Sequence, residues 1–175
     1  MNTSLFLTLL NELSDSDWQS VLNGKGLCII EDQQLQLCLS EEPDMIVLSD
    51  VIDANTADAL KQQVIHHADD LLSRYYRSHP LSNTGFNSQV EKLVNLHGHE
   101  AFIGASGQPS ALTLFVEGGE VVVESADSPK HPYGVFMECD KTLPSDKRKA
   151  AFTQWLSSGE AYRQYIGMNV CRYNC

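Results

Sequence analysis

The stretch from Gly26 to Tyr76 constrains the fold most, because its pattern is typical of three short strands followed by one long helix. In the second strand Leu35, Leu37 and Leu39 alternate with glutamine and cysteine, which indicates a strand with one buried face. Short polar links join the strands, so we expect an antiparallel meander. The predicted strands are Gly26–Glu31, Gln34–Ser40 and Met45–Val51.

The long helix is predicted from Thr56 to Arg77, with Asn55 or Thr56 as its cap. Apolar residues recur along it at spacings of three and four, which is the strongest helical pattern in the chain. A helix with one such face can cover a three-stranded sheet. The residues on this face are Ala57, Leu60, Val64, Ala68, Leu71 and Tyr75.

Further helices and strands flank this stretch. A helix is predicted at each end, over Thr3–Leu13 and Ser145–Ile166, with Gly159 weakening the middle of the second. Two strands around Gly118-Gly119 are predicted to form a hairpin, because paired glycines favour a tight primed turn. One more strand is predicted at Tyr133–Cys139.

The resulting fold class is α+β, an antiparallel sheet with an N-terminal helix, a long central helix and a C-terminal helix in the order α-βββ-α-ββ-α. We expect one α+β domain over residues 1–167. Residues 78–110, rich in glycine and proline, are predicted to be an irregular insertion, and residues 168–175 a C-terminal tail without pattern.

The charge of the chain limits its partners. Twelve basic and 23 acidic residues give a formal net charge of −11. Such a surface repels phosphate backbones and anionic membranes, so we expect no nucleic-acid partner. A role in solubility alone would explain the same net charge.

The N-terminal residues fit an amphipathic helix better than a secretion signal, because they lack a basic start and acids follow the apolar run. No stretch is long and apolar enough to span a membrane, so we expect no membrane insertion. Together these points predict a cytoplasmic protein. In that compartment Cys28 and Cys38, within predicted strands, are expected to be reduced thiols that pack as small apolar residues.

Few residues suggest chemistry. His97, His99 and Glu100 are a candidate metal site, because imidazoles one residue apart on a strand face the same way; a solvated loop explains them as well. Cys139, with His131 upstream, is a candidate thiol nucleophile, and a buried strand cysteine is the alternative. No phosphate loop, nucleophile elbow or carboxylate pair is present. We therefore expect a protein that is not an enzyme and needs no cofactor or metal.

The order of elements resembles the class I type III secretion chaperones, which bind effector proteins in bacterial pathogens. The resemblance is carried by the Gly26–Asp32 segment, by Leu35–Leu39, by Met45–Ser49 leading into the long helix, and by the closing Phe152–Leu156 helix. It rests on pattern and order, since this family has no invariant motif. It thins over residues 78–110 and 128–139, which are longer than in the family.

The resemblance implies a cytoplasmic homodimer that binds the N-terminal region of a secreted effector in extended form and keeps it competent for secretion. Apolar patches on the first helix and strands would accept its side chains, and one segment would add to the sheet as a strand. The candidate contact residues are Phe6, Leu10, Leu35 and Leu37, with core packing as the alternative for each. Two other functions remain open: a small metal or thiol enzyme using His97/His99 or Cys139, and an adaptor or immunity module.

Overall fold

Helices and small sheets alternate along the chain in the computed structural model, which describes residues 1–39, 41–128 and 134–173, with side chains in the last helix as far as Met168. The predicted α+β class is confirmed. The chain divides into two compact units, one of Met1–Ser82 with Gly118–Glu120, the other of Asn83–Glu117 with Val121–Cys175. Compactness alone does not decide whether they fold together, so the single domain over residues 1–167 stays a prediction.

The first unit begins with two helices, α1 (Thr3–Glu12) and α2 (Asp15–Leu22). Asn2 caps α1 by accepting from the Leu5 amide. Ser14 and Asp17 form a reciprocal capping box at α2, in which each side chain accepts from the other residue's amide. These caps satisfy amides that a helix start leaves without partners, so a second short helix can begin directly after the first.

Three antiparallel strands follow: β1 (Lys25–Ile30), β2 (Gln34–Leu39) and β3 (Met45–Ile46). The predicted β1–β2 hairpin is confirmed, with Leu27 opposite Leu37 and Ile29 opposite Leu35. The predicted meander is wrong, because β3 pairs with β1 and the strand order is β2-β1-β3. Short links do not dictate which free edge the next strand takes. The third strand is also shorter than predicted, and Ser40 lies outside the described residues.

The β1–β2 turn has two consecutive residues with positive φ, Glu31 at 51° and Asp32 at 62°. Both belong to the left-handed region, which costs non-glycine residues free energy. The Asp32 carboxylate accepts from the Ser82 amide at 3.1 Å and from its hydroxyl at 2.7 Å. These bonds hold the turn against the start of the segment that follows the central helices.

The predicted central helix is two helices, α3 (Ala57–His66) and α4 (Ala68–Ser78). The single helix over Thr56–Arg77 is therefore a wrong prediction, because His67, at φ −99° and ψ 12°, departs from helical geometry. Thr56 caps α3 as predicted. The predicted apolar face is largely buried: Leu60, Val64, Ala68, Leu71 and Tyr75 are core residues, whereas Ala57 is half-buried.

The second unit begins with α5 (Asn83–His97), a 15-residue helix. A 3-10 turn (His99–Phe102) and the short strand β4 (Ile103–Gly104) follow. The irregular insertion predicted over residues 78–110 is therefore wrong for most of its length. Asparagine, glycine and serine lower the helix propensity of α5, and burial of Phe86 and Val90 outweighs that cost.

The predicted glycine hairpin is confirmed as β5 (Leu112–Glu117) and β6 (Glu120–Ser125). Gly118 and Gly119 have φ of 52° and 79°, as a primed turn requires. The strand predicted at Tyr133–Cys139 is reduced to β7 (Met137–Glu138), which pairs in parallel with β4. Tyr133 lies outside the described residues.

The C-terminal helix is also double, α6 (Ser145–Ser157) and α7 (Glu160–Tyr173). The predicted weakness at Gly159 is confirmed, since its φ of 80° lies between the two helices. The tail predicted from residue 168 is wrong as far as Tyr173, because α7 continues through it. Aromatic packing fills this unit, and the rings of Phe86 and Tyr165 stack at 5.2 Å.

We predict that Asp32→Ala lowers the free energy of unfolding by about 1 kcal/mol, because it removes two hydrogen bonds to a carboxylate near the surface. Chemical denaturation followed by circular dichroism measures the change. Asp50→Ala is the matched control, since Asp50 is exposed and alters net charge equally. Equal stability of the two variants would contradict the anchoring role of Asp32.

Candidate functional site

The longer of the two outer strands of the three-stranded sheet, β2, is the candidate partner-binding site. β2 pairs with β1 along one edge, and no other strand among the described residues pairs with it. A strand edge without a strand partner is a template for an added strand. This is the geometry that recognition by strand addition requires.

A row of leucines lies along one face of β2. Leu35 and Leu37 are half-buried opposite Ile29 and Leu27, whereas Leu39, opposite Lys25, is 70% exposed. The exposure of the leucine side chains therefore increases toward the C-terminal end of β2. We call Leu35, Leu37 and Leu39 the leucine row.

Phe6 and Leu10 do not belong to this surface. Both are fully buried, at 0% exposure, on the inner side of α1. The core-packing alternative therefore describes them, and a partner cannot touch them while this packing holds. Of the four residues expected to contact a partner, Leu35 and Leu37 keep surface for one; Leu39, which the prediction omitted, has more.

Acidic residues flank both ends of the outer strand. Glu31 and Asp32 form the turn before it, and Glu41 and Glu42 follow it. β2 itself carries no charged side chain. The site is thus an apolar row between two negatively charged turns, which favours an apolar segment flanked by basic residues.

Cys28 and Cys38 are joined by a disulfide between β1 and β2. The expectation of two reduced thiols is wrong: Cys38 lies opposite Gly26, diagonal to Cys28, and the two Cα atoms are 6.1 Å apart. Such a separation suits a disulfide. A stable disulfide is rare in a reducing cytoplasm, so this bond does not favour the expected location.

Gly26 makes room for this bridge. A Cβ atom there would lie 2.3 Å from the Met45 sulfur and 3.1 Å from the Cys38 sulfur. Any side chain at Gly26 would displace the methionine that packs beside the disulfide. The glycine in the sequence is therefore explained by close packing on this face.

A recess of about 240 Å³ lies between β3 and α4 in the first unit, with Met45, Val47, Leu71 and Tyr75 among its lining residues. The His79 ring stacks on Tyr75 at 4.4 Å, and its Nε2 lies 2.7 Å from the Pro43 carbonyl oxygen. Burial raises the pKa of Tyr75 to about 12, and the nearby carboxylates of Asp44 and Asp32 add to this effect. Asp50, Arg74, Arg77 and His79 also line the recess, so its wall is part apolar and part charged.

The histidines predicted as a metal site lie elsewhere, in the second unit. His97 ends α5 and His99 begins the 3-10 turn after Gly98, so the strand geometry expected for them is wrong. The described residues contain no group of three or more His, Cys, Asp or Glu side chains able to hold a metal.

Glu100 is engaged in an ion pair. Its carboxylate lies 2.9 Å from Arg148 Nη2 and 3.0 Å from Arg148 Nε, and it accepts from the Ser145 hydroxyl at 3.2 Å. Arg148 lowers the pKa of Glu100, with the Ser145 hydrogen bond adding to the effect. The pair fixes the 3-10 turn to the start of α6.

Cys139 is a half-buried free thiol. Its amide donates to the Gly104 carbonyl at 3.0 Å, which places it just after β7. Its proposed base, His131, lies outside the described residues. The structure therefore leaves the thiol-enzyme alternative without a described base.

Sequence reasoning missed two of these features. The Glu100–Arg148 pair joins residues 48 positions apart, and no local pattern signals it. The disulfide had a usable signal, since two cysteines on facing strands of a predicted hairpin can lie diagonally on one face. The reduced-thiol expectation followed from the expected compartment instead.

Comparisons with protein-family models, curated proteins and solved structures found no significant match to this chain. Among the described residues, no helix is long and apolar enough to cross a membrane.

We predict that Glu100→Gln lowers stability at neutral pH and that the difference from the wild type disappears as the pH falls. The folded pKa of Glu100 is depressed, so its contribution is present above the unfolded pKa and is lost on acidification through the folded pKa. Thermal unfolding of both proteins between pH 7 and about pH 3 measures this. A constant difference across that range would show that Glu100 acts through something other than its charge.

Proposed function

We propose that this protein is a non-enzymatic chaperone that binds an extended segment of a secreted bacterial effector along β2. The observation that carries the proposal is the leucine row on an outer strand whose second edge pairs with no strand among the described residues, where Leu39 is 70% exposed. An added strand would pair with the β2 backbone, and its apolar side chains would cover the leucine row. No catalytic group is needed for this activity.

The chemistry of the site favours one type of segment. An added strand presents every second side chain to the same face, so apolar residues at alternate positions would meet Leu35, Leu37 and Leu39. Basic residues at either end of the segment would lie near the acidic turns around β2. A segment without this pattern would leave Leu39 in water.

The resemblance to class I secretion chaperones supplies the identity of the partner class and the cytoplasmic setting. The disulfide weighs against that setting, since a reducing cytoplasm disfavours it. A homodimer remains a prediction from the same resemblance, and sedimentation equilibrium of the purified protein measures it.

We predict that Leu39→Asp weakens effector binding at least about tenfold without unfolding the protein, because it places a charge in the exposed part of the leucine row. The probe is the N-terminal region of the protein encoded next to this chain. Co-expression tests whether the two co-purify, and calorimetry with the separately purified segment measures the affinity. Binding by the wild-type protein should also slow hydrogen exchange of the Gln34–Leu39 amides.

The matched control is Leu96→Asp, because Leu96 is 75% exposed and lies on α5 in the other unit. We expect it to bind like the wild type. Equal affinity of wild type and Leu39→Asp would exclude the leucine row as the site. No binding by the wild-type protein would remove the support for this effector as a partner.

A further inference from the structure

We propose that the Cys28–Cys38 pair is a thiol–disulfide switch that fixes β2 in register when oxidised and loosens it when a dithiol reduces the bond. The inference concerns the regulation of the proposed binding strand, so its importance for binding rests on the proposed function. Its structural part does not, because strand mobility is measured without a partner.

The position of the disulfide allows it to restrain the binding strand β2. Cys28 belongs to β1, which pairs with strands on both sides, whereas Cys38 belongs to the outer strand β2. β2 has a backbone ladder on one side only, and most of its side chains are exposed or half-buried. The disulfide therefore adds a covalent tie to the least supported long strand of this sheet.

The tie lies beside the leucine row. Cys38 is the neighbour of both Leu37 and Leu39 in β2. At the other end of the strand, the hydrogen bonds between Asp32 and Ser82 hold the turn. Reduction would leave that turn anchored and free the Leu39 end, where the apolar surface opens.

The two cysteine residues differ in exposure, which favours attack at the outer one. Cys28 is 3% exposed, whereas Cys38 is half-buried on the outer strand. A thiolate of a dithiol would attack Cys38 Sγ, forming a mixed disulfide and releasing Cys28 as a thiolate that takes a proton. The second thiol of the reductant then releases Cys38 as a thiol. The protein gains two electrons and two protons, and the dithiol becomes a disulfide.

We expect the switch to change affinity by changing how ordered β2 is before a partner binds, not by adding contacts to the partner. An outer strand held in register offers a partner a fixed row of backbone groups, whereas a mobile strand must first be ordered, which costs affinity. The oxidised protein is therefore the tighter-binding form, and the switch applies where the Cys28–Cys38 bond persists, not in a reducing cytoplasm. The reduced protein keeps the buried core of β1 but loses the rigidity of the edge.

The experiment compares hydrogen exchange, followed by mass spectrometry, of the protein oxidised in a glutathione buffer and after dithiothreitol. We expect Gln34–Leu39 amides to exchange about tenfold faster after reduction, with α5 unchanged as the internal reference. A Cys28→Ser/Cys38→Ser variant should behave like the reduced protein in both buffers. Cys139→Ser, the matched control, should respond to dithiothreitol like the wild type.

Three results would overturn the switch. The first is equal exchange of β2 in the two buffers, and the second is failure of the Cys28–Cys38 bond to form in the glutathione buffer. The third is loss of protection throughout α3 and α4 on reduction, which would make the bond a requirement of folding. Capture of the effector segment is then compared in both states: tighter binding by the oxidised form supports the switch, and equal binding overturns its link to function.

The proposed function fails separately. If the oxidised protein binds no effector segment although exchange shows the expected contrast, the switch in strand order stands and the partner assignment does not. If the effector binds but exchange is equal in the two buffers, the proposed function stands and the switch does not.

Discussion

Burial of β1 from both sides is the constraint on which the first unit depends. Leu27, Cys28 and Ile29 are consecutive and all at most 4% exposed. Since successive strand residues point to opposite faces, both faces of β1 must be covered. A strand of this kind also pairs along both edges, here with β2 and β3. The helices, the hairpin and the outer strand are arranged around this requirement.

The same constraint explains what the sequence predicted well. An uninterrupted apolar run predicts a central strand, and β1 follows that pattern. The alternating run predicted the strand β2, but the buried face expected for it is wrong, because none of its side chains is fully buried and Leu39 is 70% exposed. The apolar face of the central helices was also predictable from its spacing. Those signals depend on the spacing of apolar residues along the chain, which a single sequence records directly.

The wrong predictions concern features that depend on backbone geometry and tertiary packing rather than on the spacing of residues. A single non-helical residue, His67, divides α3 from α4 while the apolar spacing continues across it, so the pattern hides the break. The side of β1 that β3 takes is decided by packing rather than by the link before it. In the candidate site, the leucine row was predicted and its exposure was not, because exposure depends on what the helices cover. Phe6 and Leu10 are residue types that occur in contact surfaces as well as in cores, and here they lie in the core.

The outer strand β2, with one exposed and two half-buried leucines, also affects the protein alone in solution. Such an edge is a template for pairing with the same edge of another copy, which is how soluble proteins begin to aggregate. Here the acidic turns at both ends of β2, Glu31-Asp32 and Glu41-Glu42, would face their counterparts or one another in any edge-to-edge pair. With a formal charge of −11 on each copy, electrostatic repulsion would oppose such an edge-to-edge pair. The acidity of the chain would thus disfavour pairing of two β2 edges, and added salt would weaken the repulsion.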